Sequence, residues 1–157
     1  MPSPLRRAHA RCHAKTMCWL GAYEAATPGV EAYDNPTVIL GPESEPQPDA
    51  CLAILPAKGG RTRWREDDFL EGPPELVVEI ASSTESYDLH PKRDDYELAG
   101  VGEYLAVALR QRKVFWFIAR AGGFELLSPD AGGIFRSECF RGCGSIRRPS
   151  LPSMAGA

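Results

Sequence analysis

Glu79 stands in the middle of the run Leu76-Val77-Val78-Glu79-Ile80-Ala81, where an ionisable side chain needs an explanation. The run is apolar at consecutive positions, as in a strand covered on both faces. An unpaired ionised carboxylate in such a place costs several kcal/mol. Three things compensate it: an Arg or Lys partner, a metal ion, or a face open to a cleft. An edge strand that turns Glu79 to water is the alternative that requires no chemistry. Asp49, directly after Pro48, heads a second apolar run over residues 49–55. Alone it reads as a turn residue. Beside Glu79 on a neighbouring strand, it makes the oxygen-rich acidic pocket that Mg²⁺ prefers.

Lys92 lies four residues after Asp88 and four before Tyr96, which puts the three on one helical face. One reading is an exposed Asp88–Lys92 pair worth a few tenths of a kcal/mol at most. The other has the helix deliver a cation to the acidic pocket. Spacing alone favours the first. His9 and His13 fall one turn apart on a first predicted helix, where packing or solvent is the ordinary fate of a histidine and a catalytic role the exceptional one. Arg6, Arg7, Arg11 and Lys15 could meet a phosphate backbone, although a solvated helix face explains them as well. Cys12, Cys18, Cys51, Cys139 and Cys143 are odd in number and form no CxxC pair, so free thiols are expected rather than a disulfide framework or a zinc ribbon.

The elements that must position these groups can be read from the patterning. Residues 8–26 predict a helix that Pro28-Gly29 stops. Residues 37–40 read as a short strand, residues 49–55 as a buried strand ended by Pro56, and residues 57–74 as a hairpin or long loop. Residues 75–81 form the most strand-like run. A helix follows, with Asp88 placed to cap it, Pro91 in its first turn and Gly100 at its end. Strands over 103–109, 113–119 and 124–127 complete a mixed α/β domain. The chain of 157 residues suits one domain, and 43% apolar with 25% charged residues is ordinary for a globular protein. No apolar run approaches the roughly 18 residues of a membrane helix, and the basic start lacks a signal-peptide core, so a cytoplasmic protein is expected. Net charge is −3, not the signature of a strongly basic nucleic-acid binder. Acidic residues nevertheless dominate 51–100 and basic ones 101–157, which suits a cation site beside a phosphate-facing end as well as it suits solvated faces.

The ordered set Pro48-Asp49, Gly72-Pro73-Pro74-Glu75-Leu76-Val77-Val78-Glu79-Ile80, Ser82-Ser83, Tyr87-Asp88-Leu89, Lys92, Tyr96, Ala99-Gly100-Val101 and Glu103-Tyr104 resembles the putative restriction endonuclease family. That family is a bacterial branch of the PD-(D/E)XK nuclease superfamily. Trp19-Leu20-Gly21, Thr27-Pro28-Gly29-Val30 and Phe135-Arg136-Ser137-Glu138 extend the resemblance to about residues 1–142. It implies a central mixed sheet flanked by helices and a metal-dependent endonuclease that acts on DNA. Asp49 and Glu79 would hold Mg²⁺ (or Mn²⁺), and Asp49, Glu79 and Lys92 would be catalytic. The superfamily places its lysine two residues after the acid. Ala81 occupies that position here, and Lys92 from the next helix would replace it. The family is also similar in carrying histidines near His9 and His13.

Relatives begin with a helix and a strand before the segment that Met1-Pro2-Ser3-Pro4 matches, so a shortened form is expected, with one domain over 1–142 and a disordered tail over 143–157. A homodimer is left open. Two alternatives stand beside the endonuclease: an inactive relative that binds nucleic acid or a protein, and a hydrolase of the same fold with another phosphate substrate.

Overall fold

The computed structural model describes residues 6–82 and 90–141. Asp88, the segment 142–157 and the first five residues lie outside them, and with them the expected helix cap and tail. Helix α1 (Arg7–Ala26) leads into β1 (Val30–Asp34), β2 (Val38–Ile39), β3 (Ala50–Ile54), β4 (Arg63–Trp64), β5 (Leu70–Glu71) and β6 (Leu76–Ala81). Helix α2 (Pro91–Leu98) and the strands β7 (Glu103–Ala108), β8 (Lys113–Arg120) and β9 (Gly123–Leu126) complete the order. A six-stranded sheet runs β1-β3-β6-β7-β8-β9, and a small one runs β2-β5-β4. Only β6 and β7 pair in parallel in the large sheet, joined by the crossover that carries α2.

Interior position explains the continuous apolar run of β6. All six of its residues are buried, because each face of the large sheet is covered. On one face Leu76 and Val78 pack with Leu52, Leu105, Trp116 and Leu20 of α1. On the other, Val77 packs with Cys51, Tyr104 and Phe117 beneath Tyr96 of α2 and beneath Val38 and Leu70 of the small sheet. Strand alternation therefore puts Glu79 on the α2 side with Val77. The edge-strand reading of Glu79 falls, since β6 has neighbours on both sides and Glu79 is only 4% exposed.

Two elements differ from the sequence reading. β1 was not anticipated: Val30-Glu31-Ala32-Tyr33-Asp34 is too polar to read as a strand, yet it pairs with all of β3 and forms one edge. Helix α2 takes His90 as its N-cap residue with no side-chain cap, and Pro91 opens its first turn. Its end follows expectation. Gly100, at φ 86°, follows the Ala99 C-cap; its N–H reaches the Glu97 carbonyl, and that of Val101 reaches Tyr96. This double closure is the Schellman arrangement, which favours glycine at the left-handed position.

The chain leaves β3 through a 3₁₀ turn (Pro56–Lys58) and doubles back so tightly that a Cβ on Gly60 would lie 1.5 Å from the Ile54 carbonyl oxygen. No side-chain adjustment relieves a clash with backbone. Gly60→Ala is expected to lower stability by about 1–3 kcal/mol or more, read as a lower urea midpoint with an unchanged slope. A midpoint equal to that of the wild type would mean that this turn relaxes freely.

Candidate active site

Glu79 and Asp49 come together because of the β3–β6 register. Ala50 pairs with Val78 and Cys51 with Val77, so one step further sets Asp49 opposite Glu79. The Ile80 N–H donates to Asp49 Oδ2 at 2.6 Å, fixing one oxygen of that carboxylate at the end of the two strands. Glu79 meets α2 instead. Tyr96 Oη donates to Glu79 Oε1 at 2.9 Å, and Lys92 Nζ stands 3.0 Å from Glu79 Oε2. Lys92 thus faces the acidic pocket, where spacing alone favoured a surface pair. The docking of α2 makes this possible: Tyr96 is buried against Tyr104, and the Arg93 guanidinium lies 5.5 Å from the centre of the Phe117 ring.

Electrostatics follow from that geometry. Burial pushes Glu79 up to about 7; Lys92 and the Tyr96 hydroxyl pull it down, while the charge of Asp49 pushes it further up. Burial and the neighbouring Glu79 also raise the Tyr96 phenol far above its ordinary value, so it remains a donor. Two more side chains reach the site from α1. His9 Nε2 lies 3.4 Å from Asp49 Oδ1, and His13 Nε2 is 2.9 Å from the Asp49 carbonyl and 3.1 Å from Asp34 Oδ1.

Two other buried carboxylates sharpen the contrast. Glu75 accepts from the Ile54 N–H at 2.7 Å and the Arg61 N–H at 3.4 Å. Glu103, wholly buried, accepts from the backbone N–H of Glu138 and Cys139 and from the Trp116 indole. Both are held by backbone, which cannot leave. Among the described residues Glu79 is held by side chains, one of them a lysine with 30% of its side chain exposed. Sequence reading named Asp49, Glu79 and Lys92, which the fold brings together, but gave Tyr96 no role, although its spacing of four from Lys92 was visible. It also missed that Glu75 and Glu103 are buried.

Among the described residues, no group of three His, Cys, Asp or Glu side chains is placed to hold a metal ion. Mg²⁺ keeps several waters and binds through one or two carboxylates plus phosphate oxygens. The donor set here, two adjoining carboxylates, is of that kind. No helix among the described residues is long and apolar enough to cross a membrane.

A mixed sheet with helices against it, bringing two acids and a lysine to one end of its central strands, defines a restriction-endonuclease-like fold. The solved structure of a putative nuclease belonging to DUF820 from Anabaena variabilis ATCC 29413 shares it, with a TM-score of 0.65 and 15% identity over 90% of this chain and 77% of that one. No curated protein sequence matches. The chain belongs to the Uma2 family, described as putative restriction endonuclease, which it matches over residues 1–143.

Proposed function

We propose that this protein is a metal-dependent endonuclease that hydrolyses DNA phosphodiester bonds at Asp49, Glu79 and Lys92. One observation carries the reading. Of the carboxylates buried in or beside the central strands among the described residues, Glu79 is the one met by side chains, Tyr96 and the cation of Lys92, where Glu75 and Glu103 accept from backbone N–H groups. A purely structural carboxylate would be satisfied as Glu75 and Glu103 are.

Asp49 and Glu79 would hold Mg²⁺ or Mn²⁺. Bound there, a divalent cation lowers the pKa of a water and offsets charge on the phosphate oxygens. The Ile80 N–H keeps Asp49 in one orientation, and the Tyr96 hydroxyl does the same for Glu79. Lys92 has a different task. Beside the reacting phosphate its ammonium would orient the attacking water or offset the charge of the pentacovalent state. The basic excess over residues 101–157 would favour a polyanionic substrate.

Calorimetric titration of Mn²⁺ into wild type, Asp49→Ala, Glu79→Ala and Lys92→Ala tests the assignment. Saturable binding is expected in wild type and Lys92→Ala and not in the other two. Lys92→Ala should cleave a plasmid at least about a hundredfold more slowly. A well-folded wild type that binds no Mn²⁺ would sink the reading and favour an inactive binding relative. Cleavage by Lys92→Ala at the wild-type rate would remove that residue from the mechanism.

A further inference from the structure

The Asp49 carboxylate presents two oxygens, and the backbone accounts for one. Oδ2 accepts from the Ile80 N–H, while Oδ1 is met from the opposite side by His9 Nε2 at 3.4 Å. The same helix grips the residue a second time, through His13 Nε2 on the Asp49 carbonyl. The two imidazoles stack at 6.3 Å, one helical turn apart, so α1 brings one ring nitrogen from each to Asp49. The helix is anchored for this by buried Leu20 and by Trp19 edge-on to Trp116.

What singles out His9 is its other nitrogen. Nδ1 is buried and has no hydrogen-bond partner. A histidine kept only for packing would be replaced without loss by an apolar ring or chain, since burying an unpaired polar atom costs about 1–3 kcal/mol. Among the described residues, the approach of Nε2 to Asp49 is the polar contact that offsets this cost. It also selects a tautomer: with the proton on Nε2, toward the carboxylate, Nδ1 presents a lone pair rather than a stranded N–H.

We infer that His9 is a positioning residue of the active site, orienting the Asp49 carboxylate from α1 so that it meets a divalent cation in a fixed direction. The inference rests on the metal reading of Asp49 and Glu79. Outer partners of this kind orient ligands and tune metal affinity, typically by about 10- to 100-fold. His9 contacts the ligand and not the substrate; its effect is transmitted through Asp49.

Two measurements test it. In metal-free protein, the ring ¹⁵N resonances of His9 should report the Nε2–H tautomer and should move in Asp49→Ala. Identical ring signals in wild type and Asp49→Ala would overturn the proposal, independent of any metal. Calorimetric titration with Mn²⁺ alone should then show His9→Leu binding about 10- to 100-fold more weakly than wild type. His9→Gln, whose side-chain amide can donate to the same oxygen, should recover most of that loss. His9→Leu with wild-type affinity, or His9→Gln no better than His9→Leu, would overturn the inference while the metal site stands. A wild type that binds no Mn²⁺ would overturn the metal reading and this proposal with it.

Discussion

Glu79→Gln is expected to abolish metal-dependent cleavage and yet, in metal-free protein at pH 8, to be more stable than the wild type. Both halves follow from the same burial. Glu79 titrates near 7 in the folded chain against an ordinary 4.5, chiefly because its charged form is desolvated. The folded state therefore holds its proton to higher pH than the unfolded state does. The sign is fixed: wild-type stability falls as pH climbs from about 4.5 to about 7 and stays low above that range. Glutamine cannot ionise, keeps an acceptor for the Tyr96 hydroxyl and fills the same space. In the presence of a chelator, the two proteins should coincide near pH 5 and separate by about 1–3 kcal/mol at pH 8. Lys92, partly exposed, gives up the Glu79 carboxylate at little cost. Activity goes the other way, since the amide cannot replace the carboxylate as a cation ligand; a rate loss of about a hundredfold or more is expected. Chemical denaturation at the two pH values reads the first half. Wild type as stable as Glu79→Gln at pH 8 would mean that Lys92 fully offsets the burial, and Glu79 would then be an ordinary ion pair. Stability surrendered at a site that needs a charge is the pattern expected of function rather than folding.

How much of this was written in the residues depends on the range of the interaction involved. The strand β6 was legible because its composition registers burial on both faces directly, and α2 because Pro91, Gly100 and the spacing of Lys92 and Tyr96 are local signals. β1 was not legible. Its residues Glu31 and Asp34 make it look like a connection, and it is a strand because β3 offers it five partners. The meeting of Asp49 and Glu79 rests on the antiparallel register of β3 and β6, separated by a long connection, and no local pattern encodes a register of that kind. His9 reaches Asp49 only because α1 docks at one particular angle on the sheet. Its helical periodicity was visible, whereas the docking was a matter of packing with Trp116 and Phe140. The family resemblance bridged that gap for the acid pair and for Lys92, but it carried no role for Tyr96.

Glu103 shows the same limit from the stability side and carries the largest expected loss of folding free energy. In sequence it follows Gly102 at the head of a strand and looks like a solvated end residue. In the fold it is completely buried, and its partners lie far along the chain. Oε1 accepts from the Glu138 N–H at 2.7 Å and the Cys139 N–H at 2.8 Å, across more than thirty residues, and Oε2 accepts from the Trp116 indole at 2.9 Å. The carboxylate thereby ties the segment before Phe140 to the core formed by Trp116, Leu105 and α1. Glu103→Ala would leave the buried Trp116 N–H and two part-buried backbone N–H groups without an acceptor, and a cavity where the side chain was. Each unsatisfied donor costs about 1–3 kcal/mol, although water entering the cavity would recover part of the sum. A net loss of about 3–5 kcal/mol is expected, a large share of the stability of a domain of this size. Urea denaturation monitored by tryptophan fluorescence measures it. Glu103→Gln should fare better than alanine, because one amide oxygen can still accept from the two backbone groups, but worse than wild type, because its NH₂ would face the Trp116 N–H. Should Glu103→Ala unfold at the wild-type urea concentration, the segment carrying Glu138 and Cys139 would be held by Phe140 packing and the Arg120–Glu138 pair, and the carboxylate would be a passenger in the core.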